Sequence, residues 1–506
     1  MKLSELVKGL NIIETVGSAG CMDAGITGVC RDHRECGPGS LFVCIEGYKT
    51  DGHRFIGGAV ENGATALIVQ KDIEDLPGGQ LAGEKGITVI RTDNTRLALA
   101  RVSDNLYGHP SQQLKLIGVT GTKGKTTVAY MIRAIAGAAG VKNGIIGTVE
   151  TLIGDEKFHS QVTTPESNDL QKILSYMVEK NVELAAMEVS SQGLALDRVS
   201  CCDFDTGIFT NLYNDHISPN EHKDMEDYFK SKLRLFSMCR TGLVNADSKD
   251  AQRVLGSVEG ANCEMITYGI ENQADIKAKN IVNHAINGDL SVSFDLEAPW
   301  FSGCHDNRVA VGLPGKYNVY NALAAIGACA LAGVSLDDIK KGLRDVKVRG
   351  RVEMVKAGQN FSVIVDYAHN AASLENLLMM LSEFRTGRII TVFGCGGDRA
   401  KDRRFDMGEV SGKLSDMTVI TSDNPRTEDP GLIMENIEEG IRRTDGKYKK
   451  IADRKEAISF VLREASEGDI VVIAGKGHET YQIFSDRTIH FDDVEAAYNI
   501  LRGMGL

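Results

Sequence analysis

Apolar residues along this chain form short runs, and stretches with helical spacing separate many of these runs. This alternation is typical of α/β proteins, in which amphipathic helices connect buried strands. The N-terminal region predicts a helix at residues 96–106 and three strands, at residues 40–45, 64–69 and 86–90. The residues that follow this helix read as a linker, because Gly108 and Pro110 stop a helix before the next strand.

Strand–helix alternation begins again at about residue 111 and resumes from about residue 346. Between these two regions, residues 262–315 are richer in β-like alternation. A length of 506 residues suggests about three domains of ordinary size. We therefore predict an α/β fold with three domains, at residues 1–110, 111–345 and 346–506.

The most informative motif follows a predicted strand at residues 114–119 and opens a helical stretch. A strand, a glycine turn and a helix N-terminus form a phosphate cradle, because backbone N–H groups and the helix dipole face the anion. Lys125 can reach the β- and γ-phosphates, and the Thr126 hydroxyl can bind Mg²⁺. The strict P-loop spacing is missed by one place, since residue 119 is Val. The residues predicted to bind ATP or GTP here are Gly118, Gly121, Thr122, Lys123, Gly124, Lys125, Thr126 and Thr127.

Two further predicted strands end in polar residues that could serve this phosphate site. Residues 182–187 have a buried-strand pattern, and Glu188 follows them directly. A carboxylate at the end of a strand beside a phosphate loop can hold Mg²⁺ on the phosphates, although a plain strand-edge charge is the alternative. The other strand leads to Asp215 and His216, and such a pair is more often a capping or hydrogen-bonded pair than a metal site.

Four apolar strands in the last region each lead directly into a polar or glycine-rich segment. The strands are predicted at residues 361–365, 389–393, 417–421 and 470–474. The C-terminal ends of parallel strands lie on one edge of a sheet, where open α/β folds bind ligands, although any one segment could be ordinary turn chemistry. Arg399 and Arg426 suit a carboxylate, while Asp423 and Glu479 suit an ammonium group. A ligand with two carboxylates and two amines would satisfy all four residues.

The amino-acid composition limits the kinds of binding partner and the cellular compartment that we expect. The formal net charge of −12 argues against nucleic acid or an anionic membrane as the main partner. Eleven cysteines without C-x-x-C spacing predict reduced thiols rather than a disulfide framework. The first residues lack the apolar core of a signal peptide, and no apolar run approaches membrane-spanning length. We expect a cytoplasmic protein with no nucleic-acid partner and no membrane insertion.

Motifs from all three regions together resemble those of the Mur ligases. The resemblance covers essentially the whole chain and rests on residues 121–126, 163–165, 187–191, 210–212 with 215–216, Asn318 with Asn321, 350–353, 366–370, 394–399 and 475–479. It implies an N-terminal α/β UDP-substrate domain, a central P-loop ATPase α/β domain and a C-terminal Rossmann-like α/β domain. It also implies an ATP-dependent ligase that activates a carboxylate as an acyl phosphate and joins it to an amine.

The resemblance also implies roles for residues at matching positions. Lys125, Glu188, His216 and Lys232 would be catalytic, and the metal ligands would be Thr126, Glu188, His216 and Lys232, the last as a carbamate formed with CO₂. The pattern around Lys232 alone is typical of an exposed helix lysine, so its assignment depends on the motif match. The UDP-linked substrate would contact His33, where the family usually has Ser, together with Thr163, Thr164, Ser190 and Arg198. ATP would also contact Asn321, Arg351 and Asp366.

The tetrad Asp423-Asn424-Pro425-Arg426 resembles the form found in the diaminopimelate-adding branch of the family. Diaminopimelate has a second carboxylate where lysine has only hydrogens, so an arginine can discriminate between them. The implied amino-acid site comprises Arg399, Asp423, Asn424, Pro425, Arg426, Gly475 and Glu479. We therefore expect a monomer that adds meso-diaminopimelate to the D-Glu carboxyl of UDP-N-acetylmuramoyl-L-Ala-D-Glu, using ATP and Mg²⁺, in the synthesis of peptidoglycan precursors.

Three alternatives stay open on the sequence. A lysine-adding member of the family is the nearest of them. A folylpolyglutamate-synthase-like ligase has related ATPase and C-terminal domains, but it lacks the residues that precede the phosphate loop here. A regulatory module on an inactive ligase scaffold is the third, and the presence of Lys125, Glu188, His216 and Lys232 argues against it.

Overall fold

A computed structural model describes residues 1–18, 20–48, 50–215, 217–218, 221–260, 262–286 and 289–505. The chain divides into two compact units. The first comprises Met1–Asp275 and Ala324–Ser335, and the second comprises Ile276–Leu323 and Leu336–Leu506. Parallel strands covered by helices occur in both units, which confirms the predicted α/β fold class.

A five-stranded sheet occupies the N-terminal part of the first unit. Its strands are β1 (Ile12–Val16), β2 (Gly28–Cys30), β3 (Ser40–Val43), β4 (Ala64–Val69) and β5 (Thr88–Thr92). They lie in the order β1-β5-β4-β3-β2, with β2 to β5 paired in parallel and β1 antiparallel to β5. The helices of this part are α1 (Leu3–Leu6), α2 (Ile56–Glu61), α3 (Gly79–Glu84) and α4 (Thr95–Leu106).

Both faces of strands β3, β4 and β5 are buried, and successive residues of each strand point to opposite sides. Leu41 packs on one face with Leu99 of α4, and Phe42 packs on the other face with Ile56 of α2. Helix α4 begins where the Asn94 side chain accepts hydrogen bonds from two backbone N–H groups of its first turn. The sheet therefore has the two-sided helical cover that parallel strands require.

A larger sheet forms the rest of the first unit. Its strands are β6 (Lys115–Thr120), β7 (Asn143–Ile146), β8 (Glu150–Ile153), β9 (Glu156–His159), β10 (Leu184–Glu188), β11 (Phe204–Phe209), β12 (Cys239–Asn245) and β13 (Glu264–Gly269). They lie in the order β13-β12-β11-β6-β10-β7-β8-β9, and all pairs are parallel except β7 with β8 and β8 with β9. The connecting helices are α5 (Lys125–Ala138), α6 (Ser167–Glu179), α7 (Ser191–Ala195), α8 (Met225–Leu233) and α9 (Ala251–Val258).

The strand order of this sheet determines where the candidate functional residues lie. Strand β6 lies at its centre between β10 and β11. The strands run parallel, so the segments after all three emerge at the same edge. The phosphate loop, Glu188 and the polar segment after β11 therefore meet there.

The second unit contains three antiparallel strands and a mostly parallel sheet. The antiparallel strands are β14 (Ile276–Ile286), β15 (Asp289–Glu297) and β16 (Arg308–Val311). The mostly parallel sheet of this unit has six strands: β17 (Glu353–Met354), β18 (Ser362–Asp366), β19 (Ile389–Phe393), β20 (Met417–Ile420), β21 (Tyr448–Lys450) and β22 (Ile470–Ala474). They lie in the order β17-β18-β22-β19-β20-β21. Strands β23 (Tyr481–Ile483) and β24 (Thr488–His490) form a separate antiparallel pair.

Helices cover both faces of the six-stranded sheet. They are α12 (Ala371–Ser382), α13 (Asp402–Leu414), α14 (Pro430–Ile441), α15 (Arg454–Glu464) and α16 (Asp493–Gly503). Ile364 of β18 packs with Leu378 of α12, whereas its neighbour Val365 packs with Ile458 of α15. Two further helices precede this sheet in the chain, α10 (Lys316–Leu331) and α11 (Leu336–Arg344).

The structure contains the strands and the helix that the sequence predicts at 40–45, 64–69, 86–90, 96–106, 389–393 and 470–474, with shifts of at most a few residues at their ends. The β-rich stretch at 262–315 corresponds to β13 to β16. The three domain boundaries stay predictions. Among the described residues, no helix has both the length and the apolar character needed to cross a bilayer.

Candidate active site

The phosphate loop connects β6 to α5 in the first unit. Its turn depends on two glycines with positive φ, Gly121 at 142° and Gly124 at 89°. A Cβ atom on Gly121 would lie 1.9 Å from Thr210 Oγ1, so sterics also exclude a side chain there. Helix α5 begins at Lys125, which places the free N–H groups and the positive dipole end of the helix at the loop. The local geometry is that of an anion cradle.

Residues after β11, together with Tyr228 of α8, hold the loop in place. The backbone N–H of Thr122 donates to Asn211 O at 3.0 Å, and the N–H of Lys123 donates to Asn211 Oδ1 at 2.9 Å. Thr210 Oγ1 donates to Lys123 O at 2.7 Å. The Tyr228 hydroxyl lies 3.0 Å from Thr122 Oγ1. These bonds order the loop in the protein itself, which lowers the entropy that ligand binding would cost.

Two lysines donate to the same carbonyl of this loop. Lys125 Nζ lies 2.9 Å from Gly121 O, and Lys232 Nζ lies 3.0 Å from it. Lys232 is only 1% exposed, and its Nζ sits 4.4 Å from the centre of the Tyr228 ring. Burial, and then repulsion by Lys125, hold the pKa of Lys232 well below its usual value of 10.5, against the attraction of Asp215. The expectation of an exposed lysine from the pattern alone is therefore wrong, because α8 packs this face inward.

Glu188 ends β10 beside the start of α5 and is 1% exposed. Its Oε2 accepts hydrogen bonds from Thr126 Oγ1 at 2.9 Å and from Thr148 Oγ1 at 3.1 Å. Its Oε1 accepts from the Thr148 N–H at 2.8 Å. Gly147 leaves room for this carboxylate, since a Cβ there would lie 2.3 Å from Glu188 Oε1. The carboxylate is thus held in one orientation at the phosphate loop.

The oxygen atoms of Thr126 and Glu188 fit a Mg²⁺ ion. Mg²⁺ prefers hard oxygen ligands and usually keeps water or substrate phosphate in its remaining positions. His216, also predicted as a ligand, lies outside the described residues. Within the described ranges, no group of three His, Cys, Asp or Glu side chains is placed to hold a metal ion.

Four of the residues predicted to bind the UDP-linked substrate lie next to Glu188. Thr164 Oγ1 donates to Glu188 O at 2.9 Å and accepts from the Ser190 N–H at 2.9 Å. Arg198 Nη1 donates to Thr164 O at 3.0 Å. The Thr163 hydroxyl lies 3.1 Å from that of Thr148, which is itself bonded to Glu188. One hydrogen-bonded network therefore connects these residues with the phosphate loop.

The fifth of these residues, His33, lies in the N-terminal part of the first unit. Its ring stacks on Phe55, with centroids 4.8 Å apart and planes at 1°. Two residues earlier, Arg31 reaches the start of α6, where its Nε donates to Asn168 Oδ1 and its Nη2 to Asp169 Oδ2, both at 3.3 Å. The His33 segment is therefore tied to the helix that begins just after Thr163 and Thr164.

In the second unit, a cavity of about 260 Å³ lies where β18, β19, β20 and β22 end. Its lining residues are Tyr367, His369, Gly394, Cys395, Gly396, Arg399, Arg403, Asp423, Asn424, Arg426, Gly475 and Glu479. Three guanidinium groups and two carboxylates therefore converge on one cavity. Of the residues predicted to bind the amino acid, Pro425 alone is not among this lining.

Asn424 connects the cavity to the residues behind it. Its Nδ2 donates to Glu479 Oε2 at 2.8 Å, and its Oδ1 accepts from the Ile483 N–H at 3.0 Å. Lys476 is fully buried, and its Nζ donates to Glu479 Oε2 at 3.1 Å and to Tyr481 O. Oε2 of Glu479 therefore already accepts hydrogen bonds from other residues of the protein.

Arginines differ in how firmly the structure holds them. Arg426 has a φ of 54°, and its Nη1 donates to Gly397 O at 2.8 Å, which fixes the guanidinium at the cavity. Arg399 is exposed. Behind the cavity, buried Arg454 forms a pair of 2.7 Å hydrogen bonds with Asp493 and lies 4.0 Å from Asp423 Oδ2. Arg454 thus adds positive charge next to an acidic residue of the cavity.

The residues predicted to bind ATP outside the loop belong to the second unit. The Asp366 carboxylate accepts two backbone N–H groups at 2.8 Å each. Burial raises the pKa of Asp366, against the attraction of Arg351. The Arg351 guanidinium lies over the Tyr367 ring at 4.8 Å, and Asn321 is buried in α10. Their binding to ATP stays a prediction.

Three family models match the chain: the catalytic domain of the Mur ligase family at residues 25–107, the Mur ligase middle domain at 119–329, and the glutamate ligase domain of Mur ligases at 350–477. A protein from Clostridium botulinum is 45% identical over 474 residues, which cover 93% of this chain and 94% of that protein. The chain belongs to the Mur ligase family.

The Clostridium botulinum Mur ligase bears the name UDP-N-acetylmuramoyl-L-alanyl-D-glutamate–2,6-diaminopimelate ligase. A protein with the same name from Caldanaerobacter subterraneus is 42% identical and covers 99% of both chains. A solved structure with this name is 28% identical, with a TM-score of 0.71, and covers 100% of this chain and 99% of that one. The similarity thus extends over the whole Mur ligase chain.

The structure adds residues to the Mur ligase site that sequence reasoning gave no role. Tyr228 and Thr148 contact the phosphate loop and Glu188, and Tyr367, Arg403 and Lys476 line or support the cavity. Tyr228 precedes Lys232 by four residues, the spacing that puts two side chains on the same helix face, so this signal was available. Thr148 and Arg403 had no such signal, because only tertiary packing brings them to the site.

We expect Lys476→Met to raise the KM for the amino-acid substrate about tenfold, since a lost charge-assisted hydrogen bond is worth about 1.5 kcal/mol. The substitution removes the ammonium that donates to Glu479 and, at 3.4 Å, to Asn424 Oδ1, but it keeps the hydrogen bond from Asn424 Nδ2 to Glu479. Steady-state kinetics should show little change in the KM for ATP. The control is Arg487→Met, which breaks an exposed pair with Asp486 and should alter neither KM. An equal rise in all KM values would contradict a local role for Lys476.

Proposed function

We propose that this Mur ligase adds meso-diaminopimelate to the D-Glu carboxyl of UDP-N-acetylmuramoyl-L-Ala-D-Glu, with hydrolysis of ATP to ADP and phosphate. The observation that carries the proposal is the cavity in which arginines converge with Asp423 and Glu479. Diaminopimelate carries two carboxylates and two amines, so it matches both signs of charge. The names of the relatives from Clostridium botulinum and Caldanaerobacter subterraneus support the same amino acid.

The first chemical step makes a poor electrophile reactive. A D-Glu carboxylate oxygen attacks the γ-phosphate of ATP, which gives an acyl phosphate and ADP. Lys125 and the N–H groups at the start of α5 are proposed to stabilise the negative charge that develops on the phosphate oxygens. Mg²⁺, bound at Thr126 and Glu188, would neutralise further phosphate charge.

Lys232 is proposed to provide a further anionic ligand. Its buried position favours the neutral amine, and only a neutral amine can attack CO₂. The attack forms a C–N bond, turns one C=O of CO₂ into a carboxylate oxygen and releases one proton, so the neutral amine becomes a carboxylate-like carbamate. His216 is proposed as the remaining protein ligand on the strength of the family motif.

In the second step the amine of diaminopimelate attacks the acyl phosphate, and phosphate leaves from the tetrahedral intermediate. Asp423 and Glu479 suit the ammonium groups of the amino acid, and Arg426 suits the distal carboxylate. Thr163, Thr164, Ser190, Arg198 and His33 are proposed to bind the UDP-linked substrate, and Asn321, Arg351 and Asp366 to bind ATP. We also propose a monomeric, cytoplasmic enzyme with the three domains given above.

The test is phosphate release with ATP, Mg²⁺ and UDP-N-acetylmuramoyl-L-Ala-D-Glu, with meso-diaminopimelate or L-lysine offered in parallel. Turnover with diaminopimelate alone is the expected result. Turnover with lysine alone would keep the ligase and overturn the assignment of Arg426. No turnover with either amino acid would overturn the proposed reaction.

We expect Arg426→Ala to lower kcat/KM for meso-diaminopimelate about a hundredfold, because two charge-assisted hydrogen bonds are lost at a combined cost of about 3 kcal/mol. Activity with lysine should stay equal or rise, since lysine lacks the distal carboxylate. The ratio of kcat/KM for the two amino acids is the measurement. Arg443→Ala is the control, because this half-exposed arginine lies over the Phe405 ring and does not line the cavity. A parallel loss with both amino acids would argue against selection by Arg426.

A further inference from the structure

Two cysteines enclose the segment that carries His33. Cys30 is the last residue of β2, and Cys36 directly follows the short helix His33–Glu35. Their Sγ atoms lie 2.7 Å apart. A disulfide bond is about 2.05 Å long, so closing the bond needs a movement of less than about 1 Å. The two thiols are therefore positioned to form a bond without rearrangement of the sheet.

The two thiols differ in exposure. Cys30 is 5% exposed, whereas Cys36 is partly exposed. A small oxidant can therefore reach Cys36 first, and Cys30 is in place to complete the reaction. An attacking thiol and a resolving thiol arranged in this way are typical of redox-sensitive cysteines.

A second pair in the same unit gives an internal comparison. The Sγ atoms of Cys239 and Cys263 lie 3.5 Å apart, but these residues are only 7% and 9% exposed. The two thiols are thus close together in both pairs, but the first pair differs in having a partly exposed member, Cys36.

The segment between Cys30 and Cys36 makes contacts that a disulfide would disturb. The Cys36 thiol donates to Asp32 O at 3.8 Å, and Asn62 Nδ2 donates to His33 O at 2.8 Å. Arg31 ties the segment to the start of α6. Disulfide formation removes the thiol donor to Asp32 O and draws Cys36 towards Cys30, so the contacts that hold the short helix change.

We propose that Cys30 and Cys36 form a reversible redox-modification site, that its oxidant is a low-molecular-weight disulfide, and that its closure weakens nucleotide binding at His33. The effect on binding rests on the proposed function of His33, whereas the disulfide itself does not.

The exchange balances in two steps. Contact with Cys36 lowers the pKa of Cys30, and contact with Cys30 raises the pKa of Cys36. Cys36, the accessible member, attacks one sulfur of the small disulfide as its proton passes to Cys30, which forms a mixed disulfide and releases one thiol. Cys30 then attacks the Cys36 sulfur, which forms the Cys30–Cys36 bond and releases the second thiol. The protein loses two electrons and two protons, and the small disulfide gains them.

The first measurement uses the full-length reduced protein, treated with glutathione disulfide, then alkylated and digested for mass spectrometry. The expected product is a peptide pair or loop containing a Cys30–Cys36 bond, about 2 Da lighter than the reduced form. Cys239 and Cys263 should be alkylated only after unfolding. Exposed Cys304 should form a glutathione adduct, which shows that the oxidant reaches the protein. Free or separately glutathionylated Cys30 and Cys36 would overturn the proposal.

The second measurement is the KM for UDP-N-acetylmuramoyl-L-Ala-D-Glu before oxidation, after oxidation and after dithiothreitol. We expect a reversible rise of at least about fivefold, with the KM for ATP unchanged. Cys36→Ser should abolish the response, and the matched variant Cys304→Ser should keep it. A Cys30–Cys36 disulfide with unchanged KM would overturn the link to nucleotide binding. A chain that forms the disulfide but shows no ligase activity would instead refute the proposed function.

Discussion

Replacing Lys125 with Met should lower kcat by about a thousandfold, with a much smaller change in the stability of the fold. Removal of a preorganised cation or donor at a phosphoryl-transfer site typically costs a factor of about 10³. Lys125 Nζ donates to two carbonyls of the phosphate loop, Gly121 O at 2.9 Å and Thr122 O at 3.2 Å. Both carbonyls belong to the loop, so the substitution should remove charge at the phosphate site with little effect on the packing of the core.

The measurement for Lys125→Met is single-turnover formation of ADP, which isolates the activation step. Lys123→Met is a graded comparison, because the Lys123 side chain is half exposed and its ammonium lies 3.4 Å from Asp215. The loop geometry depends on the Lys123 backbone, so we expect a loss below about tenfold for this variant. Equal losses in the two variants would indicate a general charge effect and would contradict a specific role for Lys125.

Lys232→Met should also abolish most activity, by about a factor of 10³, while leaving the protein at least as stable as before. A buried ammonium is costly, and methionine fills a similar volume without charge. Lys232 is 1% exposed, and Lys125 repels it. Loss of function together with equal or higher stability would show that this lysine is kept for chemistry.

The pH dependence of stability provides a second test of the role of Lys232. The pKa of Lys232 is lowered in the folded state, so between that lowered value and 10.5 the unfolded chain binds more protons. In CO₂-free buffer the wild type should therefore gain stability relative to Lys232→Met as the pH rises through this range. Urea unfolding at several pH values measures this difference.

Lys230→Met is the matched control for both experiments on Lys232. Lys230 lies two residues earlier on α8, and its side chain is 72% exposed. It should change neither kcat nor the pH dependence of unfolding. A stability that falls in Lys232→Met, with no effect of pH, would mean that Lys232 has a mainly structural role.

Local sequence signals were sufficient to predict the phosphate loop. A strand, a glycine turn and a helix start are short-range features, and the structure places β6, Gly121 and α5 as the sequence predicts. The edge of the C-terminal sheet was also predictable. Apolar strands that each end in polar residues imply one shared edge once the strands are parallel.

The burial of individual side chains, and their contacts with residues distant in sequence, could not be predicted from local sequence in the same way. The four-residue spacing puts Tyr228 on the same helix face as Lys232, but nothing near Lys232 in sequence indicates that its amine would be buried against Gly121 O. Thr148 lies 40 residues before Glu188, and only the adjacency of β7 and β10 brings the two together. The role of His216, the carbamate and the domain boundaries stay predictions.

The attachment of residues 423–426 to strand β23 affects how specificity could be transplanted between ligases. Arg426 N–H donates to Ile483 O at 3.0 Å, Ile483 N–H donates to Asn424 Oδ1 at 3.0 Å, and Gln482 Nε2 donates to Asp423 O at 2.8 Å. The first bond joins two backbones, the second needs the Asn424 side chain, and the third needs Gln482, which a tetrapeptide moved alone would leave behind. A chimera that carries residues 481–483 together with residues 423–426 would keep the bonds between the two segments. Amino-acid preference in this fold therefore depends on two segments that are distant in sequence.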